Sequence, residues 1–148
     1  MAKYDDASWH YDGDYPDDLD EDAAATHIGM FLAWAILHDL TSANHDYGKA
    51  DVIERRITPG QYFQYTNVEV LTSDDFTDTG GKFATHYYDT GRYLDDYARL
   101  FSKLPSMYHA PDTWDSYNTI EKMIDVRYAR WLKSTSKKLH ENGEAGSR

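Results

Sequence analysis

At 148 residues the chain has room for one domain with its own core, and 41% hydrophobic with 15% aromatic content argues for a packed globule despite a mean hydropathy of −0.77. The absence of cysteine excludes disulfides, thiolate metal sites and a thiol nucleophile. A net charge of −11 and a pI near 4.9 set nucleic acid and anionic membrane aside as direct partners, since both would repel the protein.

The charge is concentrated at the beginning. Asp5, Asp6, Asp12, Asp14, Asp17, Asp18, Asp20, Glu21 and Asp22 face a single lysine, Lys3, so the first 22 residues hold −8 of the −11. Tyr4, Trp9, Tyr11 and Tyr15 are threaded among them, while Gly13 and Pro16 interrupt any period. Residues 1–19 therefore read as an irregular, aromatic and acidic arm. No basic region followed by an apolar stretch marks a secretory signal. The longest apolar run, Ile28 to Leu37, is far short of the roughly twenty residues a bilayer needs, so a soluble, cytoplasmic protein is expected.

A first strong helix is predicted from Asp20 to Asp39. Its opening acids suit the positive end of the helix dipole. Ala24, Ile28, Phe31, Leu32, Ala35 and Ile36 form a stripe at helical spacing, and Met30, Trp34 and Leu37 widen it. A helix apolar almost all round belongs at the centre of a domain, and Gly29 lets a neighbour approach closely. A shorter helix is predicted over Tyr47–Ile57. Thr58-Pro-Gly-Gln61 carries the signature of a capping box with proline at the first helical position. Val68, Val70 and Leu71 have extended character, but a lone strand lacks an evident pairing partner. Gly80-Gly81 reads as a turn, followed by helices over Phe83–Tyr88 and Arg92–Phe101. The last helix, from near Asp112 to about Leu132, presents Trp114, Tyr117, Ile120, Ile124, Tyr128 and Trp131 as one stripe. The chain then turns polar. The expected fold is mainly α: a compact single-domain bundle of five to six helices over residues 1–135, with a flexible polar tail at 136–148.

Residue types that carry chemistry are present without the spacing chemistry needs. The run from Asp12 to Asp22 fails as an EF-hand, because Pro16 and Asp17 occupy ligand and glycine positions and Ala23 stands where the bidentate Glu belongs. His10, His27, His38, His45, His86, His109 and His140 form no close metal-binding pattern, and His27 is expected as a hydrogen-bonded histidine at the core edge, which a carboxylate from the arm could reach in three dimensions. No serine lies in a nucleophile elbow, and Gly80-Gly-Lys82 lacks the remaining parts of a phosphate loop. No metal, no cofactor and no catalytic residue is assigned.

Tyr4-Asp-Asp-Ala-Ser-Trp-His-Tyr11, Ala23-Ala-Ala-Thr-His-Ile-Gly-Met-Phe-Leu-Ala-Trp34, Arg92-Tyr-Leu-Asp-Asp-Tyr97 and the stretch from Trp114 to Tyr128 together resemble a bacterial family catalogued as domain of unknown function 7832, over about residues 4–132. The resemblance brings no activity and no catalytic residues. Small acidic single-domain bacterial proteins of this kind are similar to immunity proteins of polymorphic toxin systems, an analogy of type only. The expected function is a non-enzymatic immunity protein that neutralises a basic toxin domain by protein–protein contact. Trp9, Tyr11 and Tyr15 would serve as anchors, and Asp12, Asp14, Asp17, Asp18, Asp20, Glu21 and Asp22 as steering charges. The alternatives are a small hydrolase using His27 with a nearby carboxylate, and an acidic scaffold with no dedicated partner. The oligomeric state is not encoded in any of these features.

Overall fold

The computed structural model describes the backbone through residue 146 and side chains through residue 138. Its order is β1 (Lys3–Asp6), α1 (Ala7–Tyr11), α2 (Thr26–Leu37), α3 (Lys49–Ile53), α4 (Pro59–Asn67), β2 (Val70–Thr72), α5 (Asp78–Tyr87), α6 (Arg92–Leu100) and α7 (Trp114–Gly146), with 3-10 turns between several of them. The fold is mainly α, as expected. Its seven described α-helices exceed the expected five to six because short α1 and α3 are counted. No described helix is long and apolar enough to cross a membrane.

Helix α2 is the axis of the domain: every residue from Thr26 to Ile36 is buried. It opens from a 3-10 turn, Glu21–Ala25, capped by the Asp20 side chain on the backbone N–H of Asp22. Gly29 gives α2 its close approach to α4. A Cβ at that position would lie 2.4 Å from the Pro59 carbonyl oxygen, so only glycine fits there. The capping box at Thr58 forms as predicted, with Gln61 closing it. Asp112 reinforces it from the far side of the chain, accepting from Thr58 Oγ1 at 2.5 Å and from the Gly60 N–H at 2.9 Å.

The isolated strand expected near Val70 does have a partner, the N-terminal arm. β1 and β2 pair antiparallel, with Asp5 opposite Leu71 and Asp6 opposite Val70. An irregularity between Lys3 and Asp5 breaks the strict alternation of the pleat, and both Tyr4 and Asp5 are buried. The arm is thus a strand and a short helix at its beginning and irregular only beyond Tyr11. Gly80 and Gly81 lie within the first turns of α5, whose cap is Thr77, and not in a turn between elements. Helix α7 runs to Gly146, past the end expected near Leu132, because no proline or glycine interrupts residues 114–142.

Candidate functional site

Two features involve the residues singled out by sequence, one facing outward and one inward. The outward feature is the acidic surface. Asp12, Asp14, Asp17, Asp18, Asp20, Glu21 and Asp22 are all exposed. Among the described residues none of them pairs with lysine or arginine. Asp18 meets His109 Nε2 at 3.0 Å, and Asp22 accepts from Gln64 at 2.8 Å. Glu69, which sequence reasoning overlooked, joins this surface from the link between α4 and β2. Partial desolvation, then the charges of Asp22, Asp6 and Glu21, raise its carboxyl above the ordinary value. The Tyr11 hydroxyl is raised as well, by partial desolvation and then by Glu69, Glu21, Asp12 and Asp6.

The aromatic residues of the arm divide. Trp9 is 55% exposed, with Lys3 Nζ 5.0 Å from its ring centre. Tyr11 is half-buried against the core. Tyr15 is engaged internally: its hydroxyl donates to the Asp20 carbonyl at 2.6 Å, and its ring lies 5.0 Å from that of Tyr108. Burial, together with Tyr108 and Asp20, pushes its hydroxyl up to about 12. Beside the arm, Tyr65 and Val68 are exposed at the end of α4. Val68 and Glu69 both hold left-handed backbone, with φ of 49° and 66°, which is costly for a β-branched residue.

The inward feature is a cluster built from three elements. β1 delivers Asp5, α1 delivers His10 and α2 delivers His27. Asp5 is 3% and His27 1% exposed. His10 Nε2 lies 2.8 Å from Asp5 Oδ1, His27 Nε2 lies 3.3 Å from Asp5 Oδ2, and the two Nε2 atoms are 3.2 Å apart. Tyr88 donates a short hydrogen bond to Asp5 Oδ2, and the Asp6 N–H donates to Oδ1 at 2.8 Å. Tyr108 Oη meets His10 Nδ1 at 2.7 Å, and Tyr93 donates to the His27 carbonyl at 2.6 Å. Burial alone would raise the Asp5 carboxyl. The hydrogen bonds it accepts from His10 and His27 instead hold it well below the usual carboxylate range. Burial pushes His27 below its ordinary value against the pull of Asp5, so the ring is neutral beside an ionised carboxylate.

His27 is therefore the buried, hydrogen-bonded histidine the sequence suggested, and the carboxylate that reaches it does come from the arm. Sequence reasoning missed that Asp5 is the one, and that His10, Tyr88 and Tyr108 complete the cluster. Nothing local distinguishes Asp5 from the eight acids that follow it. Asp5, His10 and His27 each bring one potential ligand atom to within 4.8 Å of the others. A second buried histidine, His45, sits between Tyr62 (2.6 Å) and Asp75 (2.8 Å) as a linear chain with each ring nitrogen separately partnered.

No curated protein and no solved structure matches the chain. Residues 3–110 match the model of a domain of unknown function, DUF7832, and the chain belongs to that family.

Proposed function

We propose that this protein is a non-enzymatic binding protein whose acidic N-terminal face docks on a basic protein surface, in the manner of an immunity protein covering a toxin domain. The observation that carries the reading is that Asp12, Asp14, Asp17, Glu21 and Asp22 are exposed and, among the described residues, free of lysine and arginine partners. Carboxylates held in that state contribute little to folding and repel one another, whereas a cationic partner turns the repulsion into steering. Exposed Trp9, Tyr65 and Val68 supply apolar area, with Glu69 adding one more charge beside Asp22 and Glu21.

The test is association with the product of the adjacent gene. Stopped-flow binding should show an on-rate that falls steeply with ionic strength. Charge reversal at Asp12, Asp17 and Glu21 should lower that rate by one to two orders of magnitude, with a smaller effect on dissociation, on the order of the steering effects known for charged interfaces. Unchanged binding and unchanged protection by the reversed variant would defeat the reading. A hydrolase using His27 has one observation in its favour, the Asp5 contact at 3.3 Å. The 1% exposure of His27 counts against it, because a general base must reach its substrate.

A further inference from the structure

We propose that Asp5, His10 and His27 form a binding site for one divalent transition-metal ion of the zinc class, which clamps the N-terminal arm to the central helix. The inference is independent of the binding reading above and rests on how three ligand atoms converge.

The spacing fits an ion. A tetrahedral zinc with bonds of about 2.0–2.1 Å to nitrogen holds its ligand atoms about 3.3 Å apart, and octahedral coordination brings them to about 3.0 Å. The two Nε2 atoms are 3.2 Å apart, His10 Nε2 is 2.8 Å from Asp5 Oδ1 and His27 Nε2 is 3.3 Å from Asp5 Oδ2, so each nitrogen stands at coordination spacing from one of the two carboxylate oxygens. The two imidazoles cross at 81° with both Nε2 atoms turned toward the same carboxylate. Two neutral imidazoles with a carboxylate form a donor set that suits zinc and its first-row neighbours better than calcium or magnesium.

As hydrogen-bond donors the two Nε2 atoms reach separate oxygens of Asp5, at 2.8 and 3.3 Å, and the same convergence presents both ring nitrogens and the carboxylate to one cation. His27 directs all its side-chain polar contacts through Nε2, and its Nδ1 is buried with no partner among the described residues. The surroundings supply the second layer that metal ligands require: Tyr88 and the Asp6 N–H orient the carboxylate, and Tyr108 orients His10 through Nδ1. The linear His45 chain offers no such convergence, since its two ring nitrogens face different partners.

Such an ion would tie α2 to β1 and α1, which are consecutive in the chain and meet α2 in this cluster through His27. Its binding energy would add to the stability of the arm. The experiment uses the full chain, stripped with a chelator and titrated with zinc by calorimetry, with cobalt substitution as a spectroscopic readout. One ion per chain is expected, at micromolar affinity or tighter, with a rise in melting temperature and ligand-field bands on cobalt addition. His10→Ala, at a partly exposed position, should keep the circular dichroism spectrum and weaken zinc binding by about 100-fold or more, in line with losing one of three ligands. His109→Ala, which removes the surface pair with Asp18, should leave it unchanged. Absence of saturable zinc binding, or binding that His10→Ala leaves intact or that His109→Ala abolishes, would overturn the proposal.

Discussion

Gly80 and Gly81 are consecutive residues of α5, yet alanine should act on them with opposite sign. A Cβ on Gly80 would lie 2.3 Å from the Leu40 carbonyl oxygen and 3.1 Å from Leu40 Cβ, whereas a Cβ on Gly81 would meet only Tyr4 Oη at 3.9 Å and Phe76 Cβ at 4.0 Å. The Leu40 carbonyl cannot simply turn away, because it accepts from the Thr77 N–H at 2.9 Å and from Thr77 Oγ1 at 3.2 Å, the contacts that seat the start of α5. Relieving the clash requires a backbone shift of about 1 Å, and overpacking of this kind costs about 1–3 kcal/mol. Against that, alanine gains up to about 1 kcal/mol over glycine inside a helix. Gly80→Ala should thus lose about 1–2 kcal/mol, while Gly81→Ala, which meets no clash, should gain about 0.5–1 kcal/mol. Urea denaturation followed by circular dichroism measures both, and the midpoints should separate by about 2 kcal/mol divided by the common slope. If Gly80→Ala proved as stable as Gly81→Ala, the packing of α5 on the chain at Leu40 would be wrong.

Asp96 accepts from Arg127 at 2.8 and 2.9 Å and from Tyr87 at 2.7 Å. Burial pushes its carboxyl up, but Arg127 and Tyr87 more than reverse that and hold it below the ordinary 3.8. The stability it confers is complete above the unfolded value and disappears as pH falls through the lower folded value. Asp96→Asn should therefore cost about 2 kcal/mol at pH 7, a discounted figure because Arg127 is partly hydrated, and the gap to wild type should close in acid titrations below about pH 4. A gap that stayed constant down to pH 2 would contradict the ion pair. Asp112→Ala removes the acceptor of Thr58 Oγ1 and the Gly60 N–H and should destabilise by about 1–2 kcal/mol. Thermal denaturation checks it, and a loss as large as that of a core truncation would mean Asp112 does more than cap α4.

What was legible in the sequence is what periodicity and capping encode locally. The burial of α2, the close approach at Gly29, the Thr58 box and the stripe of α7 all follow from residue types a few positions apart. The strand pairing was not legible, since β1 and β2 are separated by more than sixty residues and only three or four residues long. The division of the arm's acids was hidden for a related reason. A carboxylate between Tyr4 and Ala7 looks like those at 12 and 14 until the irregular pairing near Asp5 turns it inward.

That division bears on how the acidic face is held. Mutual repulsion among exposed carboxylates favours an extended, mobile arm, so something must oppose it if the face is to have a defined shape. The opposition comes from the same segment: Tyr4 is sunk in the core, Asp5 is tied to His10, His27 and Tyr88, and Tyr15 is bonded to the Asp20 carbonyl. Between these anchors the chain exposes Asp12, Asp14, Asp17 and Asp18 on a short, pinned stretch. Weakening the inner cluster should therefore loosen the outer surface. In hydrogen exchange, Tyr88→Phe should speed the amides of residues 5–11 before those of α2, because it removes one donor to Asp5 and leaves the packing of the central helix in place. Equal acceleration throughout α2 would show instead that the cluster supports the whole core and not the arm alone.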